Sequence, residues 1–287
     1  MIKYNVNTCD QICNEFMIHF TKLCPNKCPF CVDAMNKGLS SKSNKPDVES
    51  IYNTILKYKD NVASVCISGG EPMLFMDEAL SLIKKLKETT NLKVYVISSI
   101  PKNCNKNREL FYEILRECDG LTISPQHYKE EVADQIRGHK STFDRQAFYT
   151  EMPYKEKISL NINMVFPYLC EKHDILKCIE HYNKMGFKNI KLAELFNAEN
   201  MYVRFEDVFG IKLKSPFAHG CSTEFDVTPW IPSYDGKLTV KRTCFLVNKA
   251  LHANLSDMFK AATRKLFEKK YYFGVIYEDG SLHPYWF

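Results

Sequence analysis

The chain contains no apolar run approaching the ~18 residues that a membrane-spanning helix needs, which argues against a helical membrane protein. Residues 1–20 lack an apolar core behind a basic start, so no secretory signal is read there and a reduced, cytoplasmic location is expected. No stretch carries five or six like charges. The net charge of +5 is spread along the chain, so neither a nucleic acid nor a membrane surface is expected as partner. Internal repeats and low-complexity tracts are also missing, which leaves an ordinary globular chain. Its 287 residues, 45% hydrophobic and 25% charged, suit one large α/β domain or one domain with a sizeable appendage. Cysteine, by contrast, is abundant at 12 residues. In a reduced compartment, clustered cysteines read as metal ligands rather than as disulfides.

Strand-like and helix-like stretches alternate from about residue 16 to residue 197. Strands are read at 16–21, 63–68, 92–98, 121–124, 158–166 and 189–195. Helices are read at 48–59 (with Asp47 as N-cap), 77–89, 107–118 and 173–185, the last closed by Gly186. Near-continuous apolar strands separated by amphipathic helices imply a parallel sheet covered by helices. About six such units are too few for a closed eight-fold barrel. The expected fold is therefore α/β, an open, partial (β/α)6 TIM-like barrel. Residues 1–15 form an N-terminal extension and residues 16–197 the barrel core. Beyond 198 the periodicity breaks at Gly210, Pro216, Gly220, Pro229, Pro232 and Gly236. Residues 198–287 are read as an appendage over the open side, with a helix at 256–269 and a hairpin around Glu278-Asp279-Gly280.

The chemistry concentrates in two segments. Cys24, Cys28 and Cys31 stand in C-x3-C-x2-C spacing directly after the first strand. Three thiolates on one short loop can hold three corners of a cubane iron–sulfur cluster, whose fourth iron is then open to a cosubstrate. The spacing also suits a structural zinc site with His19 as fourth ligand, or a buried, inert cysteine group. Some forty residues on, Ser68-Gly69-Gly70-Glu71-Pro72 ends the second strand. Gly69 and Gly70 let a ligand approach the backbone, and Glu71 is an acceptor suited to an ammonium group. Alone, this segment also reads as a simple βα turn with Pro at the helix start. Both segments fall at the C-terminal ends of strands, where parallel α/β sheets carry their sites.

The cysteine motif, the aromatic Phe30 before its third cysteine, and the Gly-Gly-Glu-Pro segment together resemble the radical S-adenosylmethionine (SAM) superfamily. A further run, Leu121-Thr-Ile-Ser124 through Asp134-Gln-Ile-Arg137-Gly138 to Phe143, resembles the branch holding the molybdenum-cofactor GTP cyclase and the SPASM- and twitch-domain enzymes. The chain departs from that branch in carrying Gln126-His127 where Asp-Gly is usual. The resemblance implies a [4Fe–4S] cluster on Cys24, Cys28 and Cys31, with SAM bound beside it. It places Phe30 against the SAM adenine, Gly69, Gly70 and Glu71 at the amino group, Ser124 at the ribose and Arg137 near the ligand, while Arg137 reads equally as a local cap or salt bridge. On the next strand, Asn163 and Val165 are within reach of the adenine. A cysteine on each side of Asp235-Gly236, Cys221 and Cys244, is similar to a reduced twitch region. An auxiliary cluster there would need Cys170, Cys178 or another ligand besides.

The chemistry that the resemblance implies is one-electron cleavage of the sulfonium C–S bond. It yields methionine and a 5′-deoxyadenosyl radical, which takes hydrogen from an unactivated C–H of the substrate. A flavodoxin- or ferredoxin-type reductant is the expected electron donor. The substrate class is read as a peptide or protein, with a nucleotide or small metabolite as the alternative. A non-enzymatic iron–sulfur or zinc protein is the more remote reading.

Overall fold

The computed structural model describes residues 15–31, 45–195, 199–211, 222–241 and 273–283. Six strands follow in chain order: β1 (Glu15–His19), β2 (Ser64–Ser68), β3 (Lys93–Ser98), β4 (Gly120–Ile123), β5 (Ile158–Met164) and β6 (Asn189–Glu194). Each pairs in parallel with the next. Between them lie α1 (Val48–Tyr58), α2 (Met76–Thr89), α3 (Lys102–Lys106), α4 (Arg108–Glu117), α5 (Glu130–Arg137), α6 (Arg145–Glu151) and α7 (Lys172–Lys184), with α8 (Phe205–Phe209) after β6.

The C-terminal segment extends this sheet at both edges. β7 (Ser222–Glu224) and β8 (Lys237–Lys241) form an antiparallel pair, and β8 lies parallel to β6. At the other edge β9 (Phe273–Tyr277) lies parallel to β1 and turns back through Glu278-Asp279-Gly280 into β10 (Leu282–His283). The order is β10-β9-β1-β2-β3-β4-β5-β6-β8-β7. Eight strands thus run parallel and the sheet does not close, the partial barrel read from the sequence. The expected hairpin is present; the expected helix at 256–269 lies outside the described residues.

The two faces of the sheet differ sharply, and the difference begins in the sequence. Along β5, Ile158, Leu160, Ile162 and Met164 are fully buried while Ser159, Asn161 and Asn163 between them are half-exposed, the period-2 alternation of a strand. The apolar set packs with Ile18, Ile67, Val96, Ile123, Leu192 and Val240 under the helices. The helices match it: α2 buries Ala79, Leu80, Leu82, Ile83 and Leu86 along one face. The opposite face is largely polar, with Ser68 on β2, Thr122 on β4, the β5 serine and asparagines and Lys191 on β6, joined by Met17, Cys66, Tyr95, Ile97 and Ala193. A closed (β/α)8 barrel fills its bore with branched apolar side chains. Here the bore is largely polar, which suits a ligand rather than a packed interior.

Candidate active site

The cysteine loop leaves β1 at the C-terminal rim of the sheet and is fastened by backbone. Phe20 N donates to Ser68 O (2.9 Å), Gly70 N to Thr21 O (2.7 Å) and Glu71 N to Leu23 O (2.8 Å). On its far side Lys27 N donates to Arg137 O (2.7 Å), and Asn26 Nδ2 donates to Ser99 Oγ (2.8 Å). A turn, Cys31 N to Cys28 O (3.1 Å), sets the last two cysteines. Glycine is required where these segments meet. A Cβ on Gly70 would stand 2.4 Å from Leu23 O, and one on Gly138, at φ +61°, 2.7 Å from Lys27 O. The Gly-Gly pair therefore admits the cysteine loop's own backbone. Among the described residues the carbonyls of Gly69 and Gly70 accept no hydrogen bond and remain open as acceptors.

Glu71 is almost wholly buried, 1% exposed. The carboxylate expected to receive an ammonium group instead accepts four protein hydrogen bonds. Oε1 takes Met73 N (3.1 Å) and Ser98 Oγ (2.7 Å); Oε2 takes Ser99 N (2.7 Å) and Ser99 Oγ (2.5 Å). Burial raises its pKa and these donors oppose the shift. The side chain locks the end of β2 to the end of β3.

Phe30 and Val165 share one apolar group with Ile136 and Leu195, flanked by Cys28 and Tyr168. The structure thus brings together two of the residues read as adenine contacts, from separate segments. Asn163 heads a ladder of amides: Asn161 Nδ2 donates to Asn163 Oδ1 (3.0 Å), and Asn163 Nδ2 donates to Gln126 Oε1 (3.1 Å). Gln126 holds a left-handed φ of +70°, a conformation that costs a non-glycine residue about 1 kcal/mol. Ser124 follows β4 on the same rim, its N–H donating to Ser98 O (3.1 Å).

Arg137 is fully buried. It donates to Pro125 O (3.1 Å), Glu130 Oε1 (2.5 Å) and Asp134 Oδ1 (3.0 Å), and Arg145 also donates to Glu130 Oε1 (2.9 Å). The local salt bridge is one of the two readings of Arg137; sequence reasoning missed its burial, the fastening of Lys27 and the role of Ser98-Ser99. The signal for the last was polar residues directly after an apolar strand.

The loop crowds its thiols. Burial pushes the Cys24 pKa up to about 12, although Cys24 is the most exposed of the three, with Glu71 and the other two cysteines adding repulsion. Cys28 is pushed up to about 11, again by burial and then by Cys31, with Arg137 pulling the other way. Thiolates crowded this way need a positive centre. Among the described residues no three of His, Cys, Asp and Glu converge on one metal ion. His19, the alternative zinc ligand, packs against Glu278 and Tyr277. An all-sulfur donor set on one fastened loop fits an iron–sulfur cluster, whose corners stand apart, better than zinc, which draws its sulfurs to ~2.3 Å from one point. Cys221 and Cys244 lie outside the described residues. Cys178 is buried on the inner face of α7 and Cys170 is half-buried after β5.

Comparison with known proteins decides the family. The radical SAM superfamily profile matches residues 18–195, more than half of the chain, and spans every fastening of the loop just described. The chain belongs to the radical SAM superfamily. The pyruvate formate-lyase-activating enzyme of Staphylococcus aureus (strain USA300) is 23% identical over 202 residues, covering 68% of this chain and 78% of that enzyme. SuiB of Streptococcus suis, solved with S-adenosylmethionine, superposes with a TM-score of 0.60 at 17% identity over 95% of this chain. A second SuiB structure holds the precursor peptide SuiA, with a TM-score of 0.59. The chain spans about 60% of SuiB's length. As a radical SAM enzyme it uses SAM and an iron–sulfur cluster. No described helix is long and apolar enough to cross a membrane.

One pH dependence follows from this rim. His127 is buried, and its Nδ1 accepts from Lys129 N (2.9 Å), which leaves the proton on Nε2. Burial lowers its pKa below the ordinary 6.5, and burial does the same for His181. Both rings are neutral in the fold and protonate in the unfolded chain. Their contribution is therefore whole above pH 6.5 and is lost as the pH falls below it. Thermal melts at stepped pH should show Tm dropping on that acid limb, and His127→Gln should make it shallower, leaving the part due to His181. An unchanged limb in His127→Gln would refute the assignment.

Proposed function

We propose that this radical SAM enzyme binds a [4Fe–4S] cluster through Cys24, Cys28 and Cys31 and removes hydrogen from a peptide or protein substrate. The observation that carries this reading is the fastened three-thiol loop at the mouth of a polar bore. Bound there, the cluster and SAM supply a hydrogen-abstracting organic radical. The open carbonyls of Gly69 and Gly70 accept the amino group of SAM. The Phe30–Val165 group takes the adenine face, and Asn163 and Ser124 offer polar contacts beside it. Arg137 balances negative charge near Cys28.

The peptide class is supported by the company the chain keeps: SuiB binds a precursor peptide, and the activating enzyme is named for acting on another enzyme. The amide ladder Asn161–Asn163–Gln126 can pair with peptide amides from inside the bore. A flavodoxin- or ferredoxin-type protein donates the electron, in the cytoplasm.

The test is anaerobic reconstitution with iron and sulfide, reduction, and incubation with SAM. Release of 5′-deoxyadenosine and methionine supports the reading. Protein that takes up zinc alone, or a cubane that leaves SAM intact, overturns it. Deuterated candidate peptides then test the substrate, because label must appear in the 5′-deoxyadenosine.

A further inference from the structure

Outside the region that the family profile covers, one carboxylate is buried among charges for which the site described so far has no use. Glu278, at the turn between β9 and β10, has a side chain with no exposed surface. Its Oε2 stands 3.6 Å from His19 Nδ1, and its Oε1 stands 3.4 Å from Lys22 Nζ. His19 is the last residue of β1, and Lys22 stands two positions before Cys24. The Glu278 carbonyl accepts from Asp47 N (2.7 Å), the N-cap of α1. The same turn is seated on that helix, where Thr54 Oγ1 donates to Gly280 O (2.7 Å). On the opposite side of the loop, Gly70 and Glu71 hold Thr21 and Leu23 by backbone.

We propose that Glu278 is a positioning residue for the cofactor loop, so that the cluster site is completed by the C-terminal hairpin. The proposal rests on the reading that Cys24, Cys28 and Cys31 hold an iron–sulfur cluster. The physical argument is one of asymmetry. Backbone bonds fix one flank of the loop root at Thr21 and Leu23, but Lys22 between them has a long side chain with four rotatable bonds. A buried carboxylate anchored through its own backbone to α1 holds that ammonium group and the His19 ring in place. Removing the carboxylate leaves the part-buried Lys22 ammonium group without this counter-charge, which costs more than losing an exposed pair would. The strain falls on the segment that must present Cys24.

The experiment uses the full chain, reconstituted anaerobically, and follows iron loss to a chelator together with hydrogen exchange over residues 20–31. Glu278→Gln keeps the shape and removes the charge. It should release iron roughly tenfold faster, and exchange in the loop should rise. Lys22→Gln removes the same charge pair from the loop side and should do likewise. The double variant should be no worse than Glu278→Gln alone, because the two share one interaction. Thr54→Val loosens the seat of the turn without touching these charges, so it should lower Tm and leave iron retention unchanged.

Wild-type retention and exchange in both single variants would overturn the proposal, as would additive losses in the double variant. Equal iron loss in Thr54→Val would overturn it too, by showing that hairpin docking alone matters. A wild-type protein that takes up no cluster defeats instead the functional reading on which the proposal rests.

Discussion

Protein carrying Cys28→Ala is expected to purify colourless, to hold no cubane after reconstitution and to release no 5′-deoxyadenosine from SAM. Cys28 is the middle thiol of the proposed ligand set. Its carbonyl anchors the turn to Cys31, its side chain borders the Phe30 group, and Arg137 acts on its thiol. In the proposed site three thiols would leave one iron unligated, and a cluster held by two would have no stable corner set. The control is Cys118→Ala. Cys118 is buried at the end of α4, its thiol donating weakly to Leu115 O, away from the loop. That variant should lose about 1 kcal/mol of stability to a small cavity and keep a full cluster. Absorbance, iron counts and product chromatography read all of this. A Cys28→Ala protein that still binds a normal cubane and cleaves SAM would remove the basis of the proposed function.

Gly70→Ala is expected to have the next largest effect, by a different route. The added methyl would lie 2.4 Å from Leu23 O and 2.9 Å from the carbonyl carbons of Leu23 and Lys22. These are backbone atoms and cannot swing aside as a side chain can, so the loop itself must move. Overpacking of this kind costs about 1–3 kcal/mol, but the larger consequence is displacement of the first cysteine. Iron content after reconstitution should fall several-fold in a protein whose circular dichroism is unchanged. Gly210→Ala separates loop displacement from a general glycine effect. Gly210 sits at φ +67°, and a methyl group there would meet nothing within 4 Å. That substitution should cost only the left-handed strain of about 1 kcal/mol and leave the cluster intact. Equal iron content in the two variants would show that the loop tolerates being pushed.

Much of the architecture was legible because the parallel strands are buried and say so in their composition. Val65 and Ile67, Val94 and Val96, and Ile158 to Met164 mark their strands within a residue or two of the observed ends. The short helices α3, α5, α6 and α8 escaped notice, α5 and α6 for a physical reason. These two bury Arg137 and Arg145, residues that any hydropathy pattern assigns to the surface, and only the facing Glu130 and Asp134 make that burial tolerable. The placement of β9 beside β1 could not be read either. Strand pairing across so long a separation is decided by which edge is left open, and nothing local encodes it. At the site, the cysteines and the Gly-Gly-Glu segment were visible as residue types in a spacing. That the glycines serve the loop's own backbone, and that Glu71 is spent on Ser98 and Ser99, emerges only when the segments are seen together.

The pairing of β1 with β9 also bears on how the polypeptide is made. Translation delivers β1 before β9, with every other strand of the parallel set emerging between them. At ~5–20 residues per second, the nascent chain spends many seconds with one side of its first strand lacking a neighbour. An open strand edge is a template for unwanted association. The edge of β1 is thus covered only once the β9–β10 hairpin has come to lie beside it.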